Sequence, residues 1–431
     1  TRRAQRPADL VLAVFAEQHY VAYLAAVPKF EREHGVKVDV QLVDYQSLEA
    51  RLESAIVSNT QIADLNEISE GTLGFFTRGP QADFGFMDLT ERVEREGLDH
   101  RVLAARYTPW TVRGHVYALP HDVHPVMLAY RRDLIEQLGI DVDALQTWDD
   151  FVAMGQRVTQ DLDGDGIRDR FALDLPLNGQ WGLQTLLRQR GMDLFNARGE
   201  AGFNTPAGVD TLIWYLHQTR GPQRIAYEAG DSQSFYKAVN DGLVLFILTP
   251  DWRSHQFQLD EPSLSGKLAL MPLPAWEKGG RRTSTWGMTG LTISKNTKNP
   301  ELAWELAKFL YYNPQDLGQR FLSTNIISPL EEAWNLPEFH QPNPFFSNQR
   351  VGEEYARLAP QVPPVFTSPI YKTGQTRLDQ AVARSAAYYE AHGDDGLREA
   401  VQRELADAAR YLKMWSDRNG RLTQGEYGPT G

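Results

Sequence analysis

The residues with the most specific chemistry stand in one run, Asp161-Leu162-Asp163-Gly164-Asp165-Gly166-Ile167-Arg168-Asp169. Carboxylates occupy positions one, three, five and nine, with glycine at six, as at the start of an EF-hand-type calcium loop. Alternate oxygen ligands and a tight turn at Gly166 suit a large hard cation, with the Ile167 carbonyl as a further ligand. Four carboxylates this close repel strongly without a cation. A structural calcium site on Asp161, Asp163, Asp165, Ile167 and Asp169 is the expectation. Position twelve departs from the pattern, because Ala172 stands where the loop wants a bidentate Glu. The competing reading is a surface turn of Asp-Gly pairs held by Asx hydrogen bonds.

Other groups could do acid–base work. Glu17, Glu67, Glu70, Asp122 and Asp251 could supply the carboxylate pair of a glycoside hydrolase. No motif singles out a pair, however, and G-x-S-x-G, H-E-x-x-H and the P-loop are missing from the sequence. His121 and His124 lack a third metal ligand at helical spacing. The chain has 0 cysteines, which excludes disulfides, thiol catalysis and thiolate metal sites. Its 10 tryptophans are a modest surplus. Core packing takes most aromatics, but flat rings are also what a sugar cleft needs. Trp181, at a helix start, reads equally as a sugar-stacking ring or a core side chain.

These residues need elements to position them. Residues 10–15 form a near-continuous apolar run, as in a strand buried on both faces of an open α/β sheet. A helix over 20–34 follows, with Pro28 expected to kink or break it and Gly35 to end it. Residues 36–43 alternate as a second strand. This opening places Glu17 and Gln18 at the C-terminal end of strand one, where open α/β sheets bind ligands; the bland alternative is a surface loop. Residues 115–119 read as β and stop at Pro120. The polar turn 121–125 leads into a second apolar run, 126–130. A helix over 134–138 closes at Gly139, and Thr147 reads as an N-cap with Asp149 and Asp150 in the next first turn. Asp231 to Phe235 open a helix leading to a buried strand, 244–248, with Asp251-Trp252 at its end. Another strand lies within 268–274. Asn299 reads as the cap of a helix over 300–312, with Pro300 at N1 and a buried face at 302, 303, 306, 309 and 310. The Pro- and Asn-rich stretch 335–369 reads as loops and short helices, followed by helices over 375–392 and 396–417.

At 431 residues the chain is too long for one compact core and suits two lobes. It is 42% hydrophobic and 23% charged, as in a soluble globular protein. No apolar run approaches the ~20 residues of a membrane helix. A net charge of −12 argues against nucleic acid as a partner. Thr1-Arg2-Arg3 does not open a signal peptide, so a leader removed on export or a trimmed chain is expected. The tail 421–431 is expected to be disordered or a tag remnant.

Residues 114–151, GHVYALPHDVHPVMLAYRRDLIEQLGIDVDALQTWDDF, resemble the hinge segment of the extracellular solute-binding proteins of ABC importers, the sugar-binding family that includes maltose-binding protein. Residues 62–68 resemble that family's "PDV" strand, with Ala63 in place of Pro. Residues 240–252, NDGLVLFILTPDW, resemble its "F..GKAAM...G.W" signature. Residues 283–294 resemble its "GG" turn and returning strand, with Met288 in place of the second Gly. The resemblance implies an α/β, two-lobed periplasmic-binding-protein fold, with open α/β sheets and a ligand cleft between the lobes. Crossings are then expected near 121–125, 286–291 and 324–329. Lobe one would comprise 1–121 with 288–327, and lobe two 122–287 with 328–420.

It also implies which residues meet ligand. These are Glu17 and Gln18 after strand one, Glu67, Ser69 and Glu70 at the "PDV" strand, and Asp122 and His124 where the chain passes the cleft. Trp181, Asp251, Trp252, Trp286, Gly287, Met288 and Tyr371 complete the set. The implied protein is an extracytoplasmic one, periplasmic or a cell-surface lipoprotein, monomeric and not an enzyme. It would capture a carbohydrate, an oligosaccharide in preference to a monosaccharide, by hinge closure, and deliver it to an ABC permease. Calcium would be structural, with no organic cofactor. A non-sugar solute such as a metal chelate or polyamine, and a glycoside-processing enzyme, stand as alternatives.

Overall fold

The computed structural model describes residues 7–418 apart from 59, 179 and 231. The tail 421–431 and the Asp231 helix start therefore lie outside the described residues. Ten strands in two five-stranded sheets carry the architecture. The first sheet contains β1 (Leu10–Val14), β2 (Val38–Leu42), β3 (Leu65–Ser69), β4 (Leu119–Pro120) and β10 (Thr289–Ile293), in the order β2-β1-β3-β10-β4. The second contains β5 (Val126–Arg131), β6 (Phe171–Asp174), β7 (Ala226–Tyr227), β8 (Val244–Pro250) and β9 (Leu268–Pro272), in the order β9-β5-β8-β6-β7. β1 runs parallel to β2 and β3, and β10 returns antiparallel to β3 and β4. β5 is likewise antiparallel to β8 and β9, while β6 is parallel to β8 and β7.

The apolar runs explain this layout. β5 and β8 are buried along their whole lengths, as central strands covered on both faces must be. On β1, Leu10, Leu12 and Val14 pack on one face and Ala13 on the other. β2 buries only Val40, as befits an edge strand.

The first helix, Glu17–His34, starts three residues before its pattern suggests and contains Pro28 without breaking. It buries His19, Tyr23, Val27 and Phe30 along one stripe, and Gly35 ends it at φ 68°. Pro28 sits on the exposed face beside Leu24, whose carbonyl it deprives of a partner; that group can turn to water. Thr147 and Asp150 form a reciprocal capping box on helix Trp148–Val158. Asn299 does not cap Pro300–Tyr312 with its side chain, whose amide instead donates to the Asp9 carbonyl at 3.1 Å. That helix buries a wider face than its spacing implied, Trp304, Ala307, Tyr311 and Tyr312 included, because it packs against both Glu17–His34 and Pro314–Thr324.

The sheets are joined where three chain segments run side by side. His121 N–H donates to the Thr289 carbonyl at 2.9 Å, and Val123 N–H to the Ile327 carbonyl at 3.0 Å. The third crossing begins inside helix Pro314–Thr324, where Leu317 packs with the first sheet and Phe321 with the second. A fourth passage, unanticipated in the sequence, runs from Val365, packed with the first sheet, to Ile370 and Tyr371, packed with the second. Gly74 lets this passage lie close, since any Cβ there would collide with the Ser368 carbonyl.

Candidate functional site

Strand ends from both sheets converge on a cleft of about 970 Å³. β1 delivers Glu17 and Gln18 on the first turn of the first helix, and β3 delivers Ser69 and Glu70. The crossings supply His124, Gly287 and Met288; β8 leads to Trp252 on helix Asp251–Asp260; and helix Tyr371–His392 presents Tyr371 from its start. Nine of the residues expected at ligand thus share one cavity. Trp181 and Trp286 line an adjoining chamber of about 510 Å³, together with Glu70 and Gly287. The reading of the sequence missed several wall residues, among them Tyr45, Glu49, His255, Gln256, Lys372 and Gln375.

Glu67, Asp122 and Asp251, expected at ligand, do not line this cleft. Each is buried to 1% exposure or less, in a polar network that ties the crossings together. Glu67 binds His19 Nδ1 through both oxygens, at 3.1 and 3.0 Å, and accepts from the hydroxyls of Tyr23 at 2.7 Å and Tyr311 at 3.0 Å. The His19 ring lies 4.1 Å from that of His121. His121 and His124 both reach Asp122, at 3.3 and 3.0 Å, and His124 Nδ1 contacts Asp251 at 2.6 Å. Asp122 also accepts the Thr289 N–H at 3.0 Å, and Asp251 the Ile327 N–H at 2.7 Å. One carboxylate therefore pins the second crossing and the other the third. His124 itself adopts φ 53°, a conformation that costs energy in a non-glycine residue and persists only where its surroundings hold it.

The network pulls His121 and His124 in opposite directions. Burial works against an imidazolium at His124, but Asp122 and Asp251 outweigh it and push the pKa up to about 10. For His121, burial and then the neighbouring His19 push the pKa down to about 4. Burial also opposes charge at Asp122, yet His124 and His121 hold its carboxyl well below the usual range.

A second polar cluster bridges the sheets' sides directly. Arg188, on helix Gln180–Gln189, donates to Glu70 at 3.0 and 3.3 Å and to Asp193 at 2.9 Å. The Tyr371 hydroxyl donates to Glu70 at 3.0 Å. Burial disfavours the Arg188 charge, but Asp193 and Glu70 overcome it and raise the pKa. Lys372 adds contacts of 2.9 and 3.1 Å to Glu49 and Glu53.

The tryptophans are equally specific in placement. Trp286 stacks on Trp181 with centroids 4.2 Å apart and planes within 6°. Trp252 meets Trp286 edge-on at 5.1 Å and donates from Nε1 to its carbonyl at 3.1 Å. Gly287, at φ 82°, turns between them.

The acidic loop lies on the surface, between helix Trp148–Val158 and β6. Asp161, Asp163 and Asp169 bring one oxygen each within 4.8 Å of one another, a spacing that can hold a divalent cation. Asp165 stands outside this trio, and its carboxylate accepts the Ile167 N–H at 2.7 Å. Asp161 accepts the Gly166 and Gly164 amides at 2.8 and 2.6 Å, which lower its pKa. Ala172 is buried in β6, so position twelve offers no side-chain ligand.

The family described as bacterial extracellular solute-binding protein matches residues 16–315, a span that includes all of the second sheet. The arabinooligosaccharide-binding protein of Halalkalibacterium halodurans is 25% identical over 351 residues, 78% of this chain and 75% of its own. That of Bacillus subtilis is 24% identical over 76% of this chain and 74% of its own. The structure of the sugar-binding protein MalE from the phytopathogen Xanthomonas citri superimposes with a TM-score of 0.73, at 17% identity, over 95% of this chain and 99% of that one. The two-lobed fold is common to both.

Proposed function

Because the chain belongs to the bacterial extracellular solute-binding protein family, we propose that it captures a carbohydrate outside the cytoplasm and delivers it to the permease of an ABC importer. The family is one of extracytoplasmic binders, not catalysts. The ligand is an oligosaccharide in preference to a monosaccharide, and the protein works as a monomer. The observation that carries the carbohydrate reading is the wall of the main cleft. There the Trp252 indole stands among Glu17, Gln18, Ser69, Gln256 and Gln375. Flat aromatic faces take the C–H side of a sugar, and amides and carboxylates take its hydroxyls.

The expected division, 1–121 with 288–327 and 122–287 with 328–420, is supported by the strands each sheet recruits, while Leu330 and Val365 pack with the first sheet from within the second range. Closure about the crossings brings the lobes onto one ligand. The ion at Asp161, Asp163 and Asp169 is calcium, since oxygen-only ligands on a flexible loop suit that cation. A panel of mono- and oligosaccharides, followed by thermal shift and by product analysis, tests the function. A melting shift with the sugar recovered intact supports it. Shortened sugar would make the protein an enzyme, and a flat response across the panel would mean a solute of another class.

A further inference from the structure

Trp252 belongs to helix Asp251–Asp260, and Arg253 is the next residue along it. Successive helical side chains point about 100° apart. The Trp252 indole meets the main cleft, whereas Arg253 lines neither that cleft nor the chamber beside it. Only 11% of the Arg253 side chain is exposed. Its Nη1 donates to the Leu248 carbonyl in β8 at 3.0 Å, and its Nη2 stands 3.9 Å from the Asp174 carboxylate at the end of β6. Burial disfavours the guanidinium charge and lowers its pKa, with Asp174 as the chief opposing influence.

Aromatic rings box the group in. Its central carbon lies 4.3 Å from the centroid of Phe235, 5.2 Å from that of Trp286 and 5.3 Å from that of Trp181. All three fall within the ~6 Å at which a ring's quadrupole attracts a cation. The rings come from three separate segments: helix Ser232–Asn240, the second crossing and helix Gln180–Gln189. Trp181 and Trp286 stack on each other, but two stacked rings can still slide. A planar guanidinium against both, itself tied to β8, removes that freedom. Trp286 in turn supplies the carbonyl that accepts from Trp252 Nε1 at 3.1 Å, and its ring meets that of Trp252 5.1 Å away. A line of contacts therefore runs from β6 and β8, through Arg253 and Trp286, to the ring at the cleft wall.

On the carbohydrate reading of the main cleft, we propose that Arg253 is a positioning residue for sugar binding. It does not touch the sugar; by fixing Trp286 it sets the angle at which Trp252 meets a sugar ring. A lysine would keep the charge but not the plane.

Calorimetric titration with arabino-oligosaccharides and malto-oligosaccharides tests this, together with near-ultraviolet circular dichroism of the indoles. Arg253→Met keeps much of the side chain's apolar length and removes its plane and charge. It should bind about tenfold more weakly than the wild type and show altered indole bands. Arg253→Lys, which keeps a cation opposite Asp174, should fold as the wild type does and recover little of the affinity. It carries the same comparisons if Arg253→Met does not fold. In a Trp252→Ala background either change should cause no further loss, because no ring remains to be positioned. Native affinity in both variants, whatever their melting temperatures, overturns the proposal, as does a full second loss in the Trp252→Ala background. Unchanged indole bands overturn the aromatic box. A wild type that binds no sugar of either series removes the carbohydrate reading itself, and the positioning role with it.

Discussion

Trp252 shows how far a single residue's role follows from its position. Its ring is partly buried at the cleft wall, and its one polar bond runs to a carbonyl on the neighbouring crossing. At ~25 cal/mol per Å², covering roughly 60–100 Å² of stacked surface contributes about 1.5–2.5 kcal/mol, or about ten- to seventyfold in Kd. Trp252→Ala should therefore lose that much sugar affinity while melting close to the wild type. Trp286→Ala should behave otherwise, since its ring packs on Trp181 and against the second lobe's core, and should lower the melting temperature as well. Titration and melting curves on both variants check this; a Trp252→Ala protein that melts early with native affinity would make that ring structural. Sequence alone showed that these rings end apolar segments but not which chamber each enters. Glu67 was misplaced for a related reason. β3 is buried on both faces along Leu65–Ile68, so its alternation carries no sign of which side meets solvent. Arg188 and Lys372 escaped notice because their partners, Glu70, Glu49 and Glu53, lie more than a hundred residues away in sequence.

At the scale of elements, the crossings and the acidic loop respond to opposite reagents, protons and cations. His121 has a folded pKa near 4 against an unfolded value of about 6.5. A depressed histidine contributes stability that is full above 6.5 and is lost as pH falls toward 4. With ~1.4 kcal/mol per pKa unit, that loss is on the order of 3 kcal/mol. His124 has the reverse sign: its pKa is raised to about 10, so its contribution is full below about 6.5 and fades as pH climbs toward 10. Denaturant melts from pH 4 to 10 should show the wild type's advantage over His121→Asn shrinking on the acid side. The advantage over His124→Gln should shrink on the alkaline side. Gaps that stay constant with pH would mean that neither ring is held in one charge state.

The acidic loop gives a second expectation at this scale. Calcium bound to the native state stabilises by ~2.7 kcal/mol at a hundredfold excess over Kd, so chelation should lower the melting temperature. The loop is exposed and forms no part of the cleft wall, so sugar affinity should hold. Equal melting with and without calcium would leave the loop as a hydrogen-bonded turn. The tight turn at Gly166 was legible in the sequence and is made at φ 88°, with Gly164 turning beside it at φ 83°. That Asp165 stands apart from the other three acids was not, because it depends on which oxygen bonds which amide.

For the whole molecule, the question is what the ligand adds to contacts the lobes already make. Arg188 to Glu70 and Lys372 to Glu49 and Glu53 join residues of the first 121 positions to those beyond 122. Parting the two sides would break these pairs, and the conformation that keeps them is the one the structure shows. A sugar that touches both sides favours it by its differential affinity and by nothing else. Saturating sugar should therefore shrink the radius of gyration in X-ray scattering, as the lobes turn about the crossings. Glu70→Gln removes the charge from the Arg188 pair without removing its shape. The closed state should then be less populated before ligand arrives, and the apparent Kd should rise by the inverse of that fraction. The variant's scattering curve should still contract at saturation, because the ligand's contacts to both lobes remain. A wild-type curve unchanged by saturating sugar would defeat the clamp. A Glu70→Gln protein with native affinity would show that the ion pair contributes nothing to closure.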